Sequence, residues 1–347
     1  MRPPAQVPFV IGQWVSGARF YGREAHLSRL LDGQESWQWV AGLRRIGKTS
    51  LLKQLEHLVA AQFSEGSNAP RCLPLFWDLQ GVGGVEELGL AFAEALLDAE
   101  EVLERLGIAA QEVEDGDLFA SLEKLARALR SREAGLLLLC DEADELMAWS
   151  RADPGLAPRL WHALGAFEPL RVVLVSSLRL VDLGLGAGAE KGAVPGLAER
   201  FAAPIYLGAM SDDEARALLG QTQLPAAARP PFDAATVEAM REACGNHPML
   251  LQIVAKRVNE LGDLAEALRQ IRADHSVQHL FAVDFELLAP GERQLLWAIA
   301  REGGAARESH APQRLLALGL LRDSGTGLAI PNRFLADWLR QRDSPAA

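Results

Sequence analysis

The segment Gly42-Leu43-Arg44-Arg45-Ile46-Gly47-Lys48-Thr49-Ser50 constrains this chain more than any other. The spacing GxxxxGK[ST] has meaning only where a strand runs into it and a helix leaves it. Both patterns are present. WQWVA at 37–41 is aromatic and β-branched and reads as a buried strand. TSLLKQLEHLVAAQF at 49–63 sets Leu51, Leu52, Leu55 and Leu58 at helical spacing. Between them the glycines let backbone N–H groups wrap a phosphate chain, and the helix turns its positive end towards it. Residues Gly42–Ser50 are therefore expected to cradle nucleotide phosphates, with Lys48 on the β- and γ-phosphates and the Thr49 hydroxyl on Mg2+. Arg44 and Arg45 leave two readings open: a charge stabiliser facing the γ-phosphate, or surface charges.

A second motif supplies the carboxylates. GLLLLCDEADEL at 135–146 is a continuous apolar strand that ends in acid. Asp141 at such a strand end can hold Mg2+, directly or through water. Glu142, one residue on, is placed to polarise an attacking water as general base. RVVLVSS at 171–177 is a further apolar strand. Its terminal Ser176 and Ser177 read either as γ-phosphate sensors or as loop serines capping the next turn.

Other apolar runs, PLFWDLQG at 74–81 and APIYL at 203–207, alternate with helical stretches near 23–31, 86–106 and 118–130. Strands apolar along their whole length, separated by helices, predict a parallel sheet covered on both faces. The acidic QEVEDGD at 111–117 reads as a separator between two of those helices. From Ser211 the pattern turns helical, opening on SDDE as a capping box. The expected division is a lead-in at 1–20, an α/β domain at 21–208, a helical lid at 209–283 and a C-terminal domain at 284–347. That last part reads helix, helix, small ribbon, helix, the order of a winged helix.

Composition excludes some classes. Hydrophobic residues make up 49% and charged residues 23%, so a packed chain is expected. Three cysteines, Cys72, Cys140 and Cys244, form no CxxC pair and suggest buried reduced thiols. No run is long enough for a signal peptide or a membrane span, which gives a cytoplasmic expectation with no membrane partner. The formal net charge of −11 disfavours nucleic acid as a partner.

Several segments together resemble the STAND and archaeal-type AAA P-loop ATPases. FYGREAHLSRLL at 20–31 is similar to their lead-in helix, GLRRIGKTSLL to their Walker A loop, LLLLCDEADEL to their Walker B, and RVVLVSS to their sensor strand. APIYLGAMSDDEARALL at 203–219 resembles the passage into their lid, and Gly245, His247 and Pro248 match their GxP segment. The resemblance spans about residues 8–340. It implies an additional-strand α/β P-loop core with the Walker B and sensor strands beside the P-loop strand, a helical lid whose Pro248 borders the nucleotide, and a C-terminal winged helix. It further implies ATP with Mg2+ as ligand. Pro248 also has a purely local reading, since proline suits the first turn of any helix. His247 beside it either touches a phosphate or, the favoured reading, lies on the surface at the helix start. Phe20, Tyr21 and Arg23 are candidates to border the adenine, with packing against the sheet the favoured reading for the two aromatics, and Arg200 is a candidate arginine finger.

Two functions compete. One is a slowly hydrolysing ATPase that works as a regulatory switch on a protein partner, with room for a nucleotide-dependent homo-oligomer. The other is a DNA-associated AAA ATPase resembling initiator or transposition-helper proteins. From Asp284 to Ala347 there are eight basic and eight acidic residues. Beside Gln313 at its start, the expected recognition helix PQRLLALGLL offers Arg314 and otherwise apolar side chains for base reading. Both features favour the protein partner. The glycine-rich stretch 182–196, following the sensor strand, is expected to respond to nucleotide state together with 245–285.

Overall fold

The computed structural model describes residues 8–62, 71–185, 194–302, 313–325 and 327–343. They divide into two compact units. One comprises Glu24–Ala41 and Lys48–Ile205; the other comprises Met1–Arg23, Gly42–Gly47 and Tyr206–Ala347.

The first unit is built on the apolar runs. Strands β1 (Trp37–Gly42), β2 (Cys72–Asp78), β3 (Gly135–Asp141), β4 (Leu170–Ser176) and β5 (Ile205–Leu207) form one sheet in the order β2-β3-β4-β1-β5. β2 pairs with β3, β3 with β4, and β4 with β1, each in parallel. All seven residues of β3 are buried, as a central strand covered on both faces requires. Helices supply the cover, among them Lys48–Ala61, Val85–Asp98 and Leu118–Ser131. Trp77 on β2 meets Phe92 edge-on at 5.2 Å, and Trp37 lies edge-on to Phe201 at 5.3 Å. β4, expected as the sensor strand, sits directly beside β1. β3, which ends in Asp141 and is expected there too, does not, because β4 stands between them.

Two details differ from the expectation at the level of local structure. The single helical stretch at 86–106 is two helices, Val85–Asp98 and Glu100–Arg105, hinged at Ala99. The acidic separator at 111–117 carries a short helix, Ala110–Val113, because Ala110 and Val113 bury while the acids face out.

The second unit is helical from Asp212 on. The capping box is present: Ser211 Oγ accepts from the Glu214 N–H, and the Glu214 carboxylate accepts from the Ser211 N–H at 2.7 Å. Asp233, Asp263, Asp274 and Asn332 cap four further helices, each cap stabilising its helix by about 1 kcal/mol. The segment beyond Asp284 runs through helices Pro290–Glu302 and Gln313–Ala317, an antiparallel ribbon of Arg322–Asp323 with Leu328–Ala329, and a last helix Arg333–Arg340. The parts expected as lid and C-terminal domain lie in this one unit. Cys244 and Asn332 form a bridge, and a Cβ on Gly245 would stand 2.6 Å from the Asn332 nitrogen. Only glycine permits that approach. Of the glycine-rich stretch at 182–196, residues 186–193 lie outside the described residues.

Candidate nucleotide site

The first unit holds the carboxylates and the start of the phosphate-loop helix. That helix opens at Lys48, so Lys48, Thr49 and Ser50 occupy its positive end. Asp141 closes β3 and is 4% exposed. Its carboxylate accepts from the Thr49 hydroxyl and, at 3.0 Å, from the Glu142 N–H. Burial raises its pKa, and Thr49, the Glu142 N–H and Lys48 oppose that rise. The sequence-predicted Lys48, Thr49, Asp141 and Glu142 are thus brought together within one unit. Glu142 is open to solvent on one side, yet burial on the other and the charge of Asp141 raise its pKa. Its backbone is left-handed, φ 52 and ψ 41. A non-glycine residue held there costs about 1–3 kcal/mol, a strain that collects at functional sites.

Mg2+ fits this donor set. A buried carboxylate and a hydroxyl stand side by side, and Mg2+ is held by one or two protein oxygens with water and phosphate completing its shell. Among the described residues no cluster of three or more His, Cys, Asp or Glu is arranged as a protein cage.

Sequence reading missed Asp78 and Asp144. Asp78 ends β2 in register with Asp141, and its charge bears on both Asp141 and Glu142. Asp144 clamps β3 to β4. Its two oxygens accept from the Ser177 N–H and the Ser177 hydroxyl, both at 2.6 Å. Ser176 is buried at 2% exposure. Its hydroxyl accepts from Trp39 Nε1 and donates to the Ser177 carbonyl, both at 2.9 Å, so both of its hydrogen-bonding directions are engaged inside the sheet layer. Arg200 is exposed and stacks over Trp37, 5.7 Å from the ring centre.

The second unit holds the loop Gly42–Gly47 itself. Leu43 and Ile46 are buried at 3% and 2% exposure and anchor the loop, while Arg44 and Arg45 face solvent. Arg45 donates to the Gly12 carbonyl at 3.3 Å. Glycine is required at both ends for different reasons. A Cβ on Gly42 would stand 2.8 Å from the Leu207 carbonyl, and Gly47 has φ +101.

Arg23 underlies this loop and is 5% exposed. Its guanidinium donates to the carbonyls of Gly208 at 2.7 Å, Ile46 at 3.2 Å and Ala209 at 3.3 Å. Its own N–H donates to the Glu214 carboxylate. Burial lowers its pKa to about 10, so it stays charged near neutral pH. Pro248 is the first residue of helix Pro248–Leu261, where its missing N–H is no loss. His247, expected on the surface, is buried. It lies against the Arg44 backbone and the Arg23 charge rather than solvent.

The histidine has a measurable consequence. Burial, aided by Arg23, pushes its pKa from the ordinary 6.5 down to about 4. The unfolded chain therefore takes up the proton first. Stability from the neutral imidazole is complete above pH 6.5 and lost as pH falls towards 4. At 1.36 kcal/mol per unit, the loss is about 2 kcal/mol by pH 5 and about 3 by pH 4. Urea unfolding at both pH values should show that drop in wild type and a flatter profile in His247→Gln. Parallel profiles would assign the acid sensitivity elsewhere.

No family model and no curated protein sequence matches this chain. Solved structures do. A Walker-type ATPase of Pyrococcus abyssi superposes with a TM-score of 0.65 over 96% of this chain and 99% of its own, at 16% identity. The Aeropyrum pernix ORC2 protein with ADPNP and ADP gives 0.49 at 15% identity, over 93% of this chain and 92% of that one. The ORC1 protein of the same organism, in complex with DNA, gives 0.46 at 15% identity, over 92% of each. The fold is therefore that of a P-loop Walker-type ATPase core with a helical C-terminal part.

Proposed function

We propose that this chain binds MgATP on Gly42–Ser50 and hydrolyses it slowly, as a cytoplasmic nucleotide-controlled switch of STAND or AAA type acting on a protein partner. The observation that carries the reading is the contact of Thr49 with the buried Asp141, beside Lys48 at a helix start and next to a strained Glu142. A phosphate-binding lysine, two oxygen donors for Mg2+ and an acid of raised pKa are what phosphoryl transfer to water needs. Slow turnover suits a switch, in which the bound state rather than the product is the output.

The protein-partner part rests on the C-terminal segment. It carries no net charge over Asp284–Ala347. Arg314, the expected base reader, is bound to Glu292 through two bonds of 2.9 and 2.5 Å. Both side chains are shielded, at 15% and 10% exposure. Parting such a pair costs roughly 3–5 kcal/mol, which disfavours its use on a base edge. The DNA complex reported for ORC1 makes duplex binding a required arm of the test. Helices of the described residues are too short or too polar to cross a membrane.

Calorimetric titration with ADP and a non-hydrolysable ATP analogue, with and without Mg2+, is the deciding experiment. Saturable binding strengthened by Mg2+ is expected, and no binding of either nucleotide would end the reading. A duplex titration at physiological salt runs beside it. Sub-micromolar affinity falling steeply with salt would replace the protein partner by DNA.

A further inference from the structure

The loop Gly42–Gly47 is held by side chains distant in sequence but within its own unit. Helix His275–Glu286 buries Val277, Leu280, Phe281 and Phe285 together with one acid, Asp284, which is 8% exposed. A carboxylate among apolar neighbours is costly unless its oxygens are hydrogen-bonded. One of them, Oδ1, accepts from the Arg44 N–H at 3.0 Å. Two residues on, the Ile46 carbonyl accepts from the Arg23 guanidinium at 3.2 Å.

These two bonds fix orientation as well as position. A trans peptide is planar, with its N–H and C=O pointing to opposite sides. Holding the Arg44 N–H sets the plane between Leu43 and Arg44. Holding the Ile46 carbonyl turns the Gly47 N–H to the side away from Arg23. A phosphate loop works by the directions of its N–H groups, so a side chain that pins these planes governs how well the loop receives an anion.

We propose that Asp284 is a positioning residue for the phosphate loop, acting through the Arg44 amide, and that it ties nucleotide occupancy of the loop to helix His275–Glu286. This rests on the nucleotide reading above and names the lever by which the helical part would sense it. Tying is reciprocal. If the helix holds the loop in its binding geometry, a bound nucleotide must stabilise that helix in turn.

The test uses the full chain with ADP as the probe. Asp284→Asn keeps an acceptor at the same place, and Asp284→Leu removes it. Expected are an ADP affinity within about threefold of wild type for Asn and a loss of about tenfold or more for Leu, the scale of one charge-assisted hydrogen bond. Hydrogen exchange should show faster opening across 42–47 in the Leu variant without nucleotide. It should also show ADP-dependent protection of 275–286 in wild type that the Leu variant lacks. Should Asp284→Leu not fold by circular dichroism, Asp284→Ala is judged by the same criteria. Equal affinity and equal exchange in wild type and the acceptor-less variant would overturn the proposal, as would an Asn variant as weak as Leu. Failure of wild type to bind ADP would instead defeat the nucleotide reading, and the exchange of 42–47 would still decide the tether.

Discussion

Replacing Glu142 by Gln is expected to leave nucleotide affinity near wild type and to lower ATP hydrolysis by roughly 10²–10⁴-fold, the span that a positioned general base contributes. The amide matches the carboxylate in shape but accepts no proton. The raised pKa of Glu142, caused by burial and by Asp141, makes it a better proton acceptor than an ordinary surface glutamate. Single-turnover hydrolysis with saturating MgATP is the measurement, because it separates chemistry from product release. A rate equal to wild type would move the base to another residue, and Asp78 and Asp144 are the neighbouring acids to test next. Asp141→Asn should behave differently, shifting the Mg2+ dependence before it touches the rate at saturating metal.

Lys48→Ala is expected to weaken binding of ATP and ADP by roughly 2–5 kcal/mol, about thirtyfold to several thousandfold, as removal of one partner from a desolvated charge pair does. Lys48 is not one of the residues buried in the core, so the fold should persist. Its loss also removes the cation that favours the ionised Asp141 and Glu142. Fluorescent-nucleotide titration and far-ultraviolet circular dichroism should be read together. Unchanged affinity with an intact spectrum would remove Gly42–Ser50 from the nucleotide site.

The core of the fold was legible because its signal is local. An all-apolar run such as Leu136–Cys140 can hardly be anything but a buried strand or helix, and the acids after it, with the glycine spacing of 42–49, decide between them. The capping box at Ser211 was legible for the same reason. What escaped depends on contacts across the chain. Nothing near Arg23 says that its guanidinium collects the carbonyls of Ile46, Gly208 and Ala209. Nothing near His247 says that it is buried, since a histidine at a helix start is ordinarily wet. Asp284 reads as one more acid in a balanced segment until its bond to the Arg44 amide is seen. Ser176 illustrates the reverse. Its place at a strand end left a sensor and a capping serine both open, and its hydrogen bond from Trp39, 137 positions away on another strand, was legible in neither.

The helical unit is assembled from three separated pieces of chain, Met1–Arg23, Gly42–Gly47 and Tyr206–Ala347. On a ribosome these pieces do not appear together. About 160 residues must be translated between Gly47 and Tyr206, roughly 8–30 s at 5–20 residues per second. Through that interval Arg23 has Ile46 but neither Gly208 nor Ala209, and Arg44 has no Asp284. The α/β unit, by contrast, is complete once Ile205 has emerged. The nascent chain would thus hold all but the last residues of its sheet before the loop Gly42–Gly47 is fixed, and nucleotide capture by that loop, as proposed above, would be a late event of biogenesis rather than an early one.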